Sequence, residues 1–241
     1  MNLYITLDRL HFQVKQNRWL RYFTVFNRIA LAAGFLPSGY VKIAGERFTN
    51  LSNNHPMGHY LEALHHTGYY YTFIGIAQMT AAVLLLIPRT ATLGAVLYFP
   101  IILNICILSL AVRFDGSLLS SPLMVLANLY LLCWDYDKIK AILPFHPHPA
   151  SDDPLPKQGV LSNTFPTLFF AGALTTVVLL VLVITNVHDI MPHNTLKDCQ
   201  RDCVDSQNPQ ACRDFCDCIH QQGQPLEQCL DAYHMAVAPK K

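Results

Sequence analysis

Five cysteines fall within CQRDCVDSQNPQACRDFCDC, 199–218, and a sixth follows at Cys229. Thiols so spaced serve as metal ligands, as cross-links or as a redox pair, and each use needs its own surroundings. Cys216-x-Cys218 with His220 has the donors for zinc or copper, but C-x-x-C, the usual redox spacing, does not occur. Cys199-x3-Cys203 and Cys212-x3-Cys216 each set two thiols on one helical face, with the turn signal SQNPQ between them. Two short helices folded back on each other would pair Cys199 with Cys216 and Cys203 with Cys212, leaving Cys218 for Cys229. Six cysteines allow about fifteen connectivities, so this pairing is a geometric preference. The same stretch has few large apolar side chains: Leu196, Val204, Phe215, Ile219, Leu226, Leu230 and Tyr233. A core that small needs staples, each adding about 2–4 kcal/mol. We therefore read the six cysteines as structural bridges, with no metal.

The second chemical constellation lies in apolar surroundings. Arg28, Gln78, Asn104 and Asn128 come from four different hydrophobic stretches, and Lys42 ends the first of them. Polar groups at membrane depth face the bundle or a wet cavity, so the four could converge on one pocket. Lys42 could pair with Glu46, four residues on, and Arg113 with Asp115 at the outer turn. A cationic pocket with apolar walls suits a quinone carbonyl or a small anion. The plainer alternative is snorkelling for Arg28 and Lys42 and interhelical hydrogen bonds for the amides. In HPMGHYLEALHH, His59, Glu62 and His66 share one helical face, and Glu62-x-x-His65 is half of a di-iron motif whose other half is absent. A short interfacial helix is the expectation there, with Tyr60, Tyr69, Tyr70 and Tyr71 as an aromatic belt.

These residues need helices in a bilayer to hold them. The chain is 52% hydrophobic and 14% charged, against roughly 45–50% and about 25% in soluble domains. Its net charge of +1 and lack of a basic block leave no nucleic-acid footprint. Five stretches approach the roughly 20 residues a crossing needs: Phe23 to Ile43, Gly68 to Ile87, Ala91 to Val112, Leu118 to Trp134 and Pro166 to Val187. Met1 to Leu20 lacks the apolar core of a signal peptide, so the first span is expected to direct insertion. Arg9, Lys15, Arg18, Arg21, Arg89, Lys138, Lys140 and Lys157 fall on one side of a five-span arrangement, against Arg47 and Arg113 on the other. The positive-inside rule then puts the N-terminus in the cytoplasm and the cysteine tail in the periplasm or outside the cell, where disulfides persist. The expected location is a bacterial inner membrane.

FNRIALAAGFLPSGYVKIAGERF resembles a first DoxX helix, with its Arg near the cytoplasmic end and Gly-x-x-Lys at the exit. YYYTFIGIAQMTAAVLLLIPRTATLGAVLYFPIILNICILSLAVRFDGS and LMVLANLYLLCWDYDKIK continue that pattern, so the resemblance covers 22–140. The family commonly has Glu where this chain has Gln78. The resemblance implies an all-α polytopic membrane protein with a four-helix bundle; its relatives include a membrane subunit of a thiosulfate:quinone oxidoreductase and resemble helpers of redox maturation. The expected organisation is a cytoplasmic segment 1–21, the bundle 22–140, a Pro-rich linker 141–165, a fifth span 166–187 and an exported disulfide-stapled helical hairpin within 188–241. Two function classes follow. One is a non-catalytic subunit or assembly factor that docks a protein partner through the tail; the other is a quinone-linked redox protein using the intramembrane pocket.

Overall fold

A computed structural model describes residues 11–140 and 162–238. Residues 1–10 and most of the Pro-rich linker thus lie outside the described residues. Among those described, the named elements are helices, and the one isolated bridge joins Asn17 to Ser162. The helices are α1 Arg18–Ile43, α2 Pro56–His65, α3 Tyr69–Leu86, α4 Ala91–Ala111, α5 Asp115–Leu118, α6 Ser120–Trp134, α7 Tyr136–Lys140, α8 Thr167–Asn186, α9 Leu196–Asp202, α10 Pro209–His220 and α11 Leu226–Val237.

Helices α1, α3, α4 and α6 form a ring in which α1 touches α3 and α6, and α4 closes the opposite corner. Inside it Phe35 stacks on Tyr98 at 3.7 Å, and the Tyr98 hydroxyl donates to Leu31 O at 3.0 Å. The crossing of α1 over α3 is set by two glycines: a Cβ at Gly39 would lie 2.9 Å from Gly75 O, and one at Gly75 would lie 2.8 Å from Gly39 O. Small residues let helix backbones approach in this way where lipid supplies no hydrophobic drive between helices.

Four helical stretches among the described residues are long and apolar enough to cross a bilayer: α3, α4, the continuous Asp115–Trp134 and α8. Helix α1, expected as the first of five spans, is not one of them. It begins at Arg18 and carries Arg18, Arg21, Asn27, Arg28, Ser38 and Lys42, which dilute its hydropathy. Several of its polar side chains, Thr24, Asn27 and Lys42, are buried. The fourth span gains length because α5 extends it back to Asp115. Helix α8 stands beside the ring with only Ile184 buried, held at its start by Phe169 and Phe170 against Phe23.

At the linker end, Asn17 caps α1 by accepting from Trp19 N and Leu20 N, while its amide donates to Thr164 O at 2.8 Å. That single residue ties the start of α1 to the approach of α8. At the other end sits the head, α9 to α11. Thr195 caps α9, and Asn208 followed by Pro209 caps α10, so the SQNPQ turn signal becomes a helix start. The head is a three-helix unit where a hairpin is expected: Cys218 and Cys229 fasten α11 to α10. Its core holds five of the cysteines with Ile190, Phe215, Ile219 and Tyr233. Val204, expected in that core, is 75% exposed.

Candidate functional site

The five candidate ligand residues do not share a pocket. The amides are separated, Gln78 and Asn128 at different interhelical positions and Asn104 outside, because the rotation of each helix about its axis sets which level and which face its polar residue reaches. Asn128 is fully buried, and its Nδ2 donates to Ala95 O at 3.1 Å across the α4–α6 contact, while its Oδ1 has no partner. Gln78 is buried beside the glycine crossing, where its Oε1 accepts from Ser38 Oγ at 3.2 Å. Lys42 joins the same group: its ammonium donates to Ser38 Oγ at 2.7 Å and Ser38 O at 3.1 Å, and lies 4.4 Å over the Phe48 ring. The expected Lys42–Glu46 pair does not form among the described residues. Asn104 is exposed on the outside of α4 and has no hydrogen bond among the described residues.

Arg28 lies at the linker end, its Nη2 3.8 Å from Asp135 Oδ2 and its Nε buried without a partner. Asp135 is buried, accepts from Thr92 Oγ1 at 2.7 Å and pairs with Lys138 at 3.2 Å. Arg28, Asp135 and Lys138, together with Lys15, Arg21, Thr24 and Trp134, line an open cleft of about 340 Å³. Asp137, beside it, is pushed up by partial burial, but Lys15, His11 and Lys140 outweigh this and hold its carboxyl below the usual range. Asp135 and Thr92 are absent from the sequence-based set. An acid directly following the fourth span, at the level of Arg28 in an antiparallel bundle, is the signal that would have found them.

A second polar cluster forms where the head meets the bundle. Asn54 Nδ2 donates to His220 O at 2.8 Å and to Gln221 O at 3.3 Å, and Gly223, at φ +63°, leaves room for it: a Cβ there would lie 3.1 Å from Asn54 Oδ1. Arg113 donates to Ile190 O at 2.7 Å instead of pairing with Asp115. Asp115 takes His193, whose Nδ1 lies 2.7 Å from Asp115 Oδ2 while Nε2 lies 2.9 Å from Asp202 Oδ2. A ring with a carboxylate on each nitrogen is placed to donate through both when it carries a second proton. The hydrogen bond to Asp115 is the largest influence raising His193, and burial opposes it. His55 is the converse case. Its Nδ1 accepts from Met57 N, it is fully buried, and burial together with nearby His220 lowers it to about 4. An open cleft of about 540 Å³ lies between residues 49–52, Phe114 and the start of α9.

In the outer loop, Glu62 is divided between Arg47, 2.9 Å from Oε2, and His66, 2.9 Å from Oε1. Tyr69 and Tyr70 are exposed as a belt requires, but Tyr71 turns inward and donates to Glu46 O at 3.0 Å. Among the described residues, the one group of three close enough to share a metal is Cys203, Cys212 and Cys216. All three sulfurs are in disulfides. The bridges are Cys199–Cys216, Cys203–Cys212 and Cys218–Cys229, the three pairs that antiparallel folding favours.

No family model matches the chain, and no solved structure does. Among curated proteins, it is similar to "Uncharacterized protein YwoB" of Bacillus subtilis (strain 168), with 46% identity over 78 residues, 32% of this chain and 50% of that protein. The chain thus spans about half the length of that relative.

Proposed function

We propose that this is a non-catalytic membrane subunit or assembly factor of a redox-related system, which holds a disulfide-stapled docking head against one end of a helix bundle. The observation that carries this reading is the set of contacts fixing the head in one orientation: Asn54 to α10, Arg113 to Ile190, and Asp115 to His193. A tethered but undocked tail needs none of them. The DoxX-like order of the first four helices supplies the redox context. Helix α1 packs along α3 within the ring, which supports five crossings despite its modest hydropathy. With five crossings, the N-terminus is cytoplasmic and the head lies in the oxidising compartment, on the far side of a bacterial inner membrane.

The test uses intact cells. A photoreactive side chain at exposed Arg213 or Met235 of the head should give one discrete protein adduct, a membrane redox component. The same group at lipid-facing Leu174 should give none. Head positions that yield no protein adduct would overturn the docking reading. A second reading, a quinone-linked subunit, draws on the cleft where Arg28 has an unpaired Nε. Stoichiometric quinone in the purified protein, lost in Arg28→Lys because Lys lacks the planar fork of donors, would establish it in place of the first.

A further inference from the structure

Among the described residues, each side-chain amide of the long helices makes at least one hydrogen bond, with one exception, although Asn128 Oδ1 stays unpartnered. Asn27 donates to Phe23 O, Gln78 accepts from Ser38, Asn128 donates to Ala95 O and Asn186 donates to Leu182 O. Asn104 does neither, although it lies three residues from the middle of α4, one of the most apolar helices of the chain. At about 1.5 Å per residue this places it roughly 5 Å from the centre of the span. No water is available at that depth to replace a partner. Helix α8 does not supply one among the described residues: its start packs on Phe23 of α1 and Tyr130 of α6, and no hydrogen bond joins it to Asn104.

The neighbours of Asn104 complete the surface. Pro100, Asn104, Ile107 and Ala111 are all exposed and follow one another at spacings of four, three and four, and partly buried Leu97 extends the row backwards. This is the seam of a helix pair, with one amide among apolar positions. A carboxamide carries a donor and an acceptor side by side, so it is complementary to a copy of itself turned by a two-fold axis. Two copies inserted in the same direction bring their seams together about such an axis along the membrane normal. We propose that the outer face of α4 is a homodimer interface, in which the two Asn104 side chains exchange hydrogen bonds within the bilayer. The inference rests on the membrane reading of α4 and not on the docking role of the head.

Ala111 ends the seam on the head side, so the full-length protein with Ala111→Cys, and with Cys133→Ser to remove the exposed native thiol, is oxidised in native membranes. The expected product is a disulfide-linked homodimer, absent when the cysteine is placed instead at exposed Tyr70 on α3. Asn104→Leu should lower the cross-linked fraction by roughly tenfold in the dimerisation constant, the scale of two intramembrane hydrogen bonds, whereas Asn104→Gln should keep most of it. Leu is at home in lipid, so this variant remains inserted. An unchanged dimer in Asn104→Leu overturns the proposal, as does an adduct with a different protein or no dimer from a chain that resists alkaline extraction. Release of the protein by alkali instead removes the membrane reading, and the proposal with it.

Discussion

The bundle and the head are built inside out relative to each other. In the bundle, Phe73, Leu93 and Ile107 face outward while Gln78 and Asn128 are buried; in the head, charged Arg201 and Arg213 face outward while Phe215, Ile219 and five half-cystines fill the core. The solvent accounts for the inversion. In hydrocarbon, apolar side chains gain nothing by meeting, so helices are held by close backbone approach and a few hydrogen bonds. In water, the head has the hydrophobic effect, but too little apolar surface to use it, and covalent staples make up the difference. One region is held by many replaceable contacts and the other by three bonds.

The largest effect should therefore come from the head. Replacing Cys199 and Cys216 together by Ser is expected to cost about 2–5 kcal/mol and to leave the head open to protease under conditions where the intact chain resists. The thermal transition of the bundle should not move. Equal sensitivity of both regions would mean that they fold as one unit and that the contrast is false.

The bundle should fail through sterics. Gly75→Leu places atoms where Gly39 O and Lys42 Cβ already lie, each 2.8 Å from the new Cβ, and overpacking of this kind costs about 1–3 kcal/mol. Loss of the bundle's thermal transition, with the head's disulfides and protease resistance intact, is the expected result. Gly75→Leu with wild-type stability would show that α1 does not depend on that crossing.

This contrast also marks what the sequence can and cannot say. Thiol spacing favours the observed disulfides among the possible connectivities, because two residues four apart share a helical face, a local fact. Span positions are similarly local, since length and hydropathy suffice for α3, α4 and α8. The gathering of Arg28, Gln78, Asn104 and Asn128 is not local. It depends on the rotation and depth of four helices, and a shift of one or two residues sends an amide into the core, as for Asn128, or onto the outer face, as for Asn104. Tyr71 leaves the aromatic belt for the same reason. Helix α1 reads poorly as a span because the polar residues that lower its hydropathy include those it turns toward its neighbours.

Polar contacts inside the bundle should matter less than the glycine crossing. Asn128 makes one hydrogen bond to Ala95 O and leaves its own oxygen unpartnered, so Asn128→Leu removes a gain and a cost together. Intramembrane hydrogen bonds average about 0.6 kcal/mol. A change within about 1 kcal/mol, measured by unfolding in detergent, is expected. A loss comparable to that from the cysteine pair would assign Asn128 a structural weight that the apolar packing around it does not suggest.

The smallest effect, an alkaline limb, lies on the seam between the two regions, where two histidines respond to pH in opposite directions. His193 is raised by Asp115 and Asp202, with Arg201 and Asp198 nearby on the head side; it favours the docked state most at low pH. That contribution is full below the undocked value near 6.5 and is lost as pH rises through the higher docked value. His55 is buried as the neutral ring between Phe114 and His220. Because its docked value falls to about 4, its contribution is full above 6.5 and is lost as pH falls toward 4. Docking should thus be strongest between the two limbs and weaken on either side, by about 0.2–1 kcal/mol on the alkaline limb, the range for partly exposed ion pairs. Protease cleavage of the segment between α8 and α9, followed from pH 5 to pH 9, reads both limbs. His193→Gln should flatten the alkaline limb alone, and His55→Gln, which keeps a ring-sized amide but cannot take the proton, the acid limb alone. A profile in which His193→Gln leaves the alkaline limb unchanged would remove His193 from the clasp and leave Asn54 and Arg113 to hold the head.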